Sequence, residues 1–127
     1  MREFNLKKFE KILEKCDFDY FKEKHLINVN LNNLKIEKRI MKIYHDLSSI
    51  KGIRFVGATK IMHILAPNFF MMWDTGIRKH YGFDTSPKSY LDFMKKMQEL
   101  YKQGKFKKIN KKFTIPRAID MYNMSHC

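Results

Sequence analysis

Ile53-Arg54-Phe55-Val56-Gly57-Ala58-Thr59-Lys60, and after it Phe70-Met71-Met72-Trp73-Asp74-Thr75-Gly76-Ile77-Arg78, is the stretch on which the fold turns. Gly52 to Gly57 reads as a turn, because two glycines bracket it. Ala58 to Leu65 reads as a helix closed ahead of Pro67, since the residue before a proline is pushed out of helical conformation. Asn68 to Trp73 is an apolar connector. Asp74 is a strong N-cap residue, and it opens a short helix through His80 that stops at Gly82.

The flanks are helical too. Upstream, Ile36, Ile40, Met41, Ile43, Tyr44 and Leu47 recur at helical period and predict a helix ending near Ser48-Ser49. Downstream, Ser86-Pro87 starts another helix with proline in its first turn. Its stripe is Tyr90, Leu91, Met94, Met97, Leu100 and Tyr101, with Phe93 at one edge. Thr114 caps a final helix from Pro116 to about Asn123. At the other end Phe4, Leu6, Phe9, Ile12, Leu13 and Cys16 form an amphipathic stripe with lysines between. Asp17 to Leu26 predicts a second short helix with Asp17 as its cap. The asparagine-rich segment Ile27 to Asn33 is expected to be a loop, with a short strand as the alternative. With only 5 Gly and 3 Pro in 127 residues, the pattern predicts an all-α fold: one domain over residues 1–127, with one core.

Lys and Arg number 26 against 13 Asp and Glu, a formal charge of +13. Such an excess speaks of partners, and a phosphate backbone is the expected one, bound with release of condensed counterions. No run of about 18 apolar residues could span a bilayer, and no amphipathic segment is too apolar to be needed in the core, so a membrane partner is not expected. The alternative source of the charge is a lysine-rich proteome. Cys16 and Cys127 have no metal-ligand spacing, so neither a metal nor another cofactor is expected and reduced thiols in a cytoplasm are. The N-terminal residues read as amphipathic helix with no signal-peptide core. A monomer is expected.

The quoted stretch resembles the helix-hairpin-helix core of the HhH-GPD DNA glycosylase superfamily, in which a hairpin of the form L-P-G-V-G opens a helix. An extended connector and a V-D-T-H-like turn follow. Ile53 to Gly57 sits where the hairpin would be, with Arg54 in place of the proline and Phe55 in place of the first glycine. Met72-Trp73-Asp74-Thr75 sits where the V-D-T segment would be, after a connector a few residues shorter than the family's. The resemblance covers about residues 36–82, the hairpin and Asp-capped helix about 50–82. It implies a DNA-binding protein that excises a damaged or modified base from double-stranded DNA, with strand cleavage if a lysine serves as nucleophile. The alternative is a non-catalytic DNA- or RNA-binding module of the same fold.

The resemblance makes Asp74 the carboxylate that stabilises positive charge on the sugar as the base departs. Asp74 is equally what an N-cap requires. Lys60 matches the lysine some members use to form a Schiff base, which needs a neutral amine; it lies three residues after Gly57, one more than the family's spacing. Otherwise Lys60 is a phosphate-binding cation. Gly57 lets the turn approach a phosphate, which then meets the helix N-terminus, with Arg54 and Thr59 beside it. Arg78 and the basic run Lys105, Lys107, Lys108, Lys111 and Lys112 are expected phosphate contacts. Trp73 is the candidate on which an extruded base stacks, and is otherwise core. His63 shares a helix face with Lys60 and is expected as a half-buried helix residue.

Overall fold

The computed structural model describes residues 6–15, 18–106 and 112–127. The expected cap Asp17, the stripe residues Phe4 and Cys16, and Lys107, Lys108 and Lys111 lie outside the described residues. Seven α-helices and one 3-10 turn occur among them, with no strand: α1 (Leu6–Lys15), α2 (Phe18–Lys22), the 3-10 turn Leu26–Asn28, α3 (Leu34–Ser48), α4 (Arg54–Leu65), α5 (Thr75–His80), α6 (Pro87–Lys102) and α7 (Ile115–His126). The fold is all-α.

The caps are those the sequence supplies. Asn33 accepts from the Lys35 and Ile36 amides at 3.0 and 3.4 Å to start α3. The Ser86 hydroxyl accepts from Ser89 N at 3.1 Å, and Thr114 Oγ1 from Arg117 N at 3.3 Å, to start α6 and α7. Each satisfies an amide that the helix itself leaves without an acceptor. The last helix runs to His126, a turn beyond the predicted end, and α2 stops at Lys22, short of the predicted Leu26.

Helix α3 packs against both α4 and α6. The buried stripe of α3 is Ile40, Ile43, Tyr44 and Leu47, and that of α6 is Tyr90, Leu91, Phe93, Met94 and Met97. Tyr44 and Tyr90 stack where the two helices meet, 4.9 Å apart and 4° from parallel. Their hydroxyls, which cannot be buried without acceptors, donate to the carbonyls of Thr85 at 2.8 Å and Met71 at 2.7 Å. Burial pushes both phenols well above their ordinary range. An ion pair between Lys95 and Glu37 ties α6 to α3 again. Gln98 donates to the Leu26 and Val29 carbonyls, 2.7 Å each, and so holds the asparagine-rich segment to α6 as loop and 3-10 turn.

The connector after α4 is core. Phe69, Phe70, Met71 and Trp73 are buried, and Phe69 stacks on Phe21 of α2 at 4.7 Å. The backbone of this extended segment is satisfied from neighbouring elements. Tyr90 and His63 bond the Met71 and Phe70 carbonyls, and the Trp73 amide donates to Thr59 Oγ1 at 3.3 Å. The segment 70–73 therefore holds its shape through α4 and α6, not through regular structure of its own.

The hairpin differs from the sequence reading. The turn between α3 and α4 is residues 49–53, and α4 begins at Arg54, three residues ahead of the predicted turn end. Gly52 has φ of 95° and Arg54 of 58°, both in the left-handed region. Gly57 is not in the turn at all. It lies in the first turns of α4, where a Cβ would meet Ile53 Cγ2 at 3.2 Å. The glycine there serves close packing against Ile53, and the turn that approaches solvent is built on Gly52.

Candidate functional site

Two concave regions involve the residues singled out by the sequence. The first is the α3–α4 turn, where a cleft of about 620 Å³ is lined by Ser48, Ser49, Ile50, Lys51, Gly52, Arg54 and Phe55. It joins the last residues of α3 to the first of α4. Lys51 and Arg54 are exposed. Lys51 and Arg54 are the groups here that can hold an anion; the Ser48 and Ser49 hydroxyls donate to the His45 and Asp46 carbonyls, and the Ser49, Ile50 and Ile53 amides to carbonyls of α3 and the turn. Gly57, assigned this role from sequence, is replaced by Gly52.

The second region is built around Asp74. The residue has an extended backbone, and its Oδ1 accepts from Ile77 N at 2.7 Å, so the N-cap expected from sequence is present. The residue is nonetheless exposed. It lines a cavity of about 210 Å³ with Lys60, Met72, Trp73, Arg117, Asp120 and Met124. The two residues proposed for chemistry, Lys60 on α4 and Asp74 before α5, thus share one cavity. Thr59 brings this about: its hydroxyl donates to Val56 O at 2.9 Å and accepts from the Trp73 amide, fixing the connector against α4 one residue before Asp74.

Helix α7 forms the remaining wall. Arg117 Nη1 donates to Asp120 Oδ2 at 2.8 Å; the Asp120 side chain is 8 % exposed and that of Arg117 41 %. Burial raises the Asp120 carboxyl above its ordinary range, against the opposing pull of Arg117 and, more weakly, His63; the charge of Asp74 adds to the rise. The His63 ring is buried, with Nδ1 donating to the Phe70 carbonyl at 2.8 Å, so its first role is to hold the connector. Asn123, fully buried, accepts from Tyr81 OH at 2.7 Å and joins α7 to the end of α5; burial is the main reason that phenol is pushed up to about 12.

Several site assignments change. Trp73 is 1 % exposed, with its ring between Tyr44, Tyr90 and Phe93 at centroid distances of 6.0, 5.4 and 5.2 Å, so it offers no face to an extruded base. Its indole N–H is buried without an acceptor. Thr59 is fully buried and bonded within the fold, so it does not reach a phosphate. Arg78 donates from Nη1 to the Phe83 carbonyl at 2.8 Å and closes the turn after α5. The spacing of Lys60 from the turn, already one residue longer than the family's, lengthens further, because the turn ends ahead of Arg54 and not at Gly57. Lys60 is exposed, which suits a cation meeting phosphate better than an amine neutralised by burial. Lys105 and Lys112 are exposed at the two ends of the basic run.

Arg117, Asp120 and Met124 were missed. One signal was available: Pro116, Ile119, Asp120 and Asn123 recur at helical spacing and are all buried, so Asp120 is an acid on the apolar stripe of its helix. A charge at such a position is retained only with a partner.

Compared with protein-family models, with curated proteins and with solved structures, the chain matches none. No helix among the described residues is long and apolar enough to cross a membrane. Among the same residues no group of three or more His, Cys, Asp or Glu could hold a metal ion.

Proposed function

We propose that this chain is a DNA-binding protein of helix-hairpin-helix type that cleaves the N-glycosidic bond of a damaged or modified nucleotide. The observation that carries the reading is the cavity that Asp74 and Lys60 share. The turn strengthens the resemblance in its corrected register. Ile50-Lys51-Gly52-Ile53-Arg54 follows the L-P-G-V-G form with an aliphatic first residue, the central glycine and an aliphatic fourth residue. The two glycine positions of that form fall on Gly52 and Arg54, the two residues of this turn with positive φ. The shift lengthens α4 at its start by the same three residues and leaves the connector from Asn68 to Trp73 as short as before.

In this reading Lys51 and Arg54 at the turn hold a phosphate without regard to sequence. The nucleotide swings out of the duplex towards the Asp74 cavity, and the methionines Met72 and Met124 form its apolar wall. Asp74 caps α5 through Oδ1 and turns its negative charge to the sugar. As the bond from C1′ to the base nitrogen breaks, its electron pair leaves with the base. The carboxylate stabilises the cationic sugar and orients the water that attacks C1′; the proton the water sheds ends on the departing base. Strand cleavage through Lys60 is not part of the proposal, since that lysine is exposed and out of the expected spacing.

The test is release of free base from a panel of duplexes, each with one lesion, by the parent and by Asp74→Asn. Release that the substitution abolishes supports the reading. A second reading, a binding module without chemistry, is favoured by two observations: the Asp74 carboxylate already has a structural use, and Trp73 is withdrawn into the core. Binding without base release from any lesion would establish it.

A further inference from the structure

We propose that Arg117 and Lys60 form a phosphate clamp at the Asp74 cavity, with Asp120 as the residue that positions Arg117. The proposal rests on the DNA-binding reading above and deepens it: it names a backbone phosphodiester next to the extruded nucleotide as the group that this side of the cavity meets.

The case begins with Asp120, the one acidic residue buried among the described residues. A buried carboxylate is costly and is kept only where a partner compensates it. Its partner Arg117 lies one turn earlier on α7, and its side chain is five times as exposed, 41 % against 8 %. The pair is thus anchored at its acidic end and open at its basic end. A guanidinium has five N–H donors in a rigid fork, and one nitrogen of Arg117 is engaged by Asp120. A guanidinium held in this way loses little freedom when it meets a second planar or tetrahedral oxyanion.

Lys60 lines the same cavity from α4 and is exposed. The titratable groups around Asp120 are Arg117 on its own helix, His63 on α4 and Asp74 before α5. Asp74 repels a phosphate, so the anion belongs with the two cations, leaving Asp74 to the sugar. Two subsites result, one at the turn with Lys51 and Arg54 and one here.

The experiment is fluorescence titration of two duplexes of equal length, one intact and one with a single tetrahydrofuran abasic-site analogue, over a range of salt. The parent should prefer the abasic duplex, whose backbone bends into the cavity without unstacking a base. Arg117→Gln should weaken that duplex by about tenfold or more and the intact one by less than about threefold, with the salt slope lowered by about one. Asp120→Asn should lose the same preference with the slope unchanged, because no cation is removed. Arg117→Lys keeps the charge without the fork and should fall between the two, a check that does not depend on the buried substitution folding. Lys51→Gln, at the turn, should weaken both duplexes alike. Equal weakening of both duplexes by Arg117→Gln, or full preference in Arg117→Lys, would overturn the clamp while leaving DNA binding intact. A parent that binds neither duplex at low salt would overturn the DNA-binding reading and the clamp with it.

Discussion

Arg54 carries the sharpest stability prediction, because its backbone and its charge act in opposite directions. Its φ of 58° is the only positive value among the described non-glycine residues. A left-handed conformation costs an L-residue about 1–2 kcal/mol, because Cβ crowds the following carbonyl oxygen. Glycine removes that cost but gives the unfolded chain more freedom, worth about 0.5–1 kcal/mol. Arg54→Gly should therefore stabilise the fold by about 0.5–1 kcal/mol, or about 2–5 °C in melting temperature for a chain of this size. Arg54→Ala keeps Cβ and the strain, and at an exposed site should change stability by less than about 0.5 kcal/mol. Both variants lose the same cation at the turn, so both should bind duplex DNA more weakly, with the salt slope lowered by about one. The assays are urea denaturation of the three proteins side by side and titration of a labelled duplex at several salt concentrations. If the glycine and alanine variants are equally stable, Arg54 stores no strain. If both bind as the parent does, the turn is not a phosphate site.

Other outcomes follow from the same geometry. Thr59→Val removes the acceptor of the buried Trp73 amide; it should cost about 1–3 kcal/mol in denaturation experiments while leaving the salt slope of DNA binding as it is, and a lowered slope would return Thr59 to the phosphate contacts. The Asp120 carboxyl is raised by burial, so the folded protein holds that proton more tightly than the unfolded chain. Stability from this group is thus present at low pH and declines as pH rises from about 4 through the raised value. In Asp120→Asn that decline should vanish from a denaturation series across pH; an unchanged slope would mean that the carboxyl holds its proton equally in the folded and unfolded chain. Trp73→Phe takes away a buried N–H that has no acceptor. It should cost less than the about 3–5 kcal/mol of a Trp→Ala change and leave base release unaltered, whereas a specific loss of release would bring Trp73 back to the site.

The fold was legible where apolar spacing and caps agree. The stripes of α3 and α6, the Ser86 and Thr114 caps and the Asp74 cap are local features, and each follows from residues within a turn or two of one another. The turn was misplaced for an equally local reason. Gly57 invites a turn, but a glycine is needed at a tight helix contact just as much, and only the three-dimensional position of Ile53 separates the two. Asp74 and Lys60 could be named from the resemblance. Their sharing a cavity depends on Thr59 binding the connector, and the α7 wall comes from more than forty residues further along the chain. Trp73 was misjudged because an apolar connector beside a candidate carboxylate can face inward or outward, and only the stacked Tyr44–Tyr90 pair and Phe93 show that it faces inward.

Whether the Asp74 cavity performs chemistry is read by base release from lesion-containing duplexes under single-turnover conditions, parent against Asp74→Asn. Asparagine can accept the Ile77 amide as aspartate does, so the cap survives and stability should stay within about 1 kcal/mol of the parent. DNA binding should be at least as tight, since one acidic group facing phosphates is gone. The negative charge is lost, and with it the stabilisation of the cationic sugar. The parent should free a base from at least one duplex, and Asp74→Asn should do so about a hundredfold more slowly or worse. A parent that frees no base from any lesion, with a variant that differs from it in nothing, would contradict the account and leave Asp74 as a helix cap.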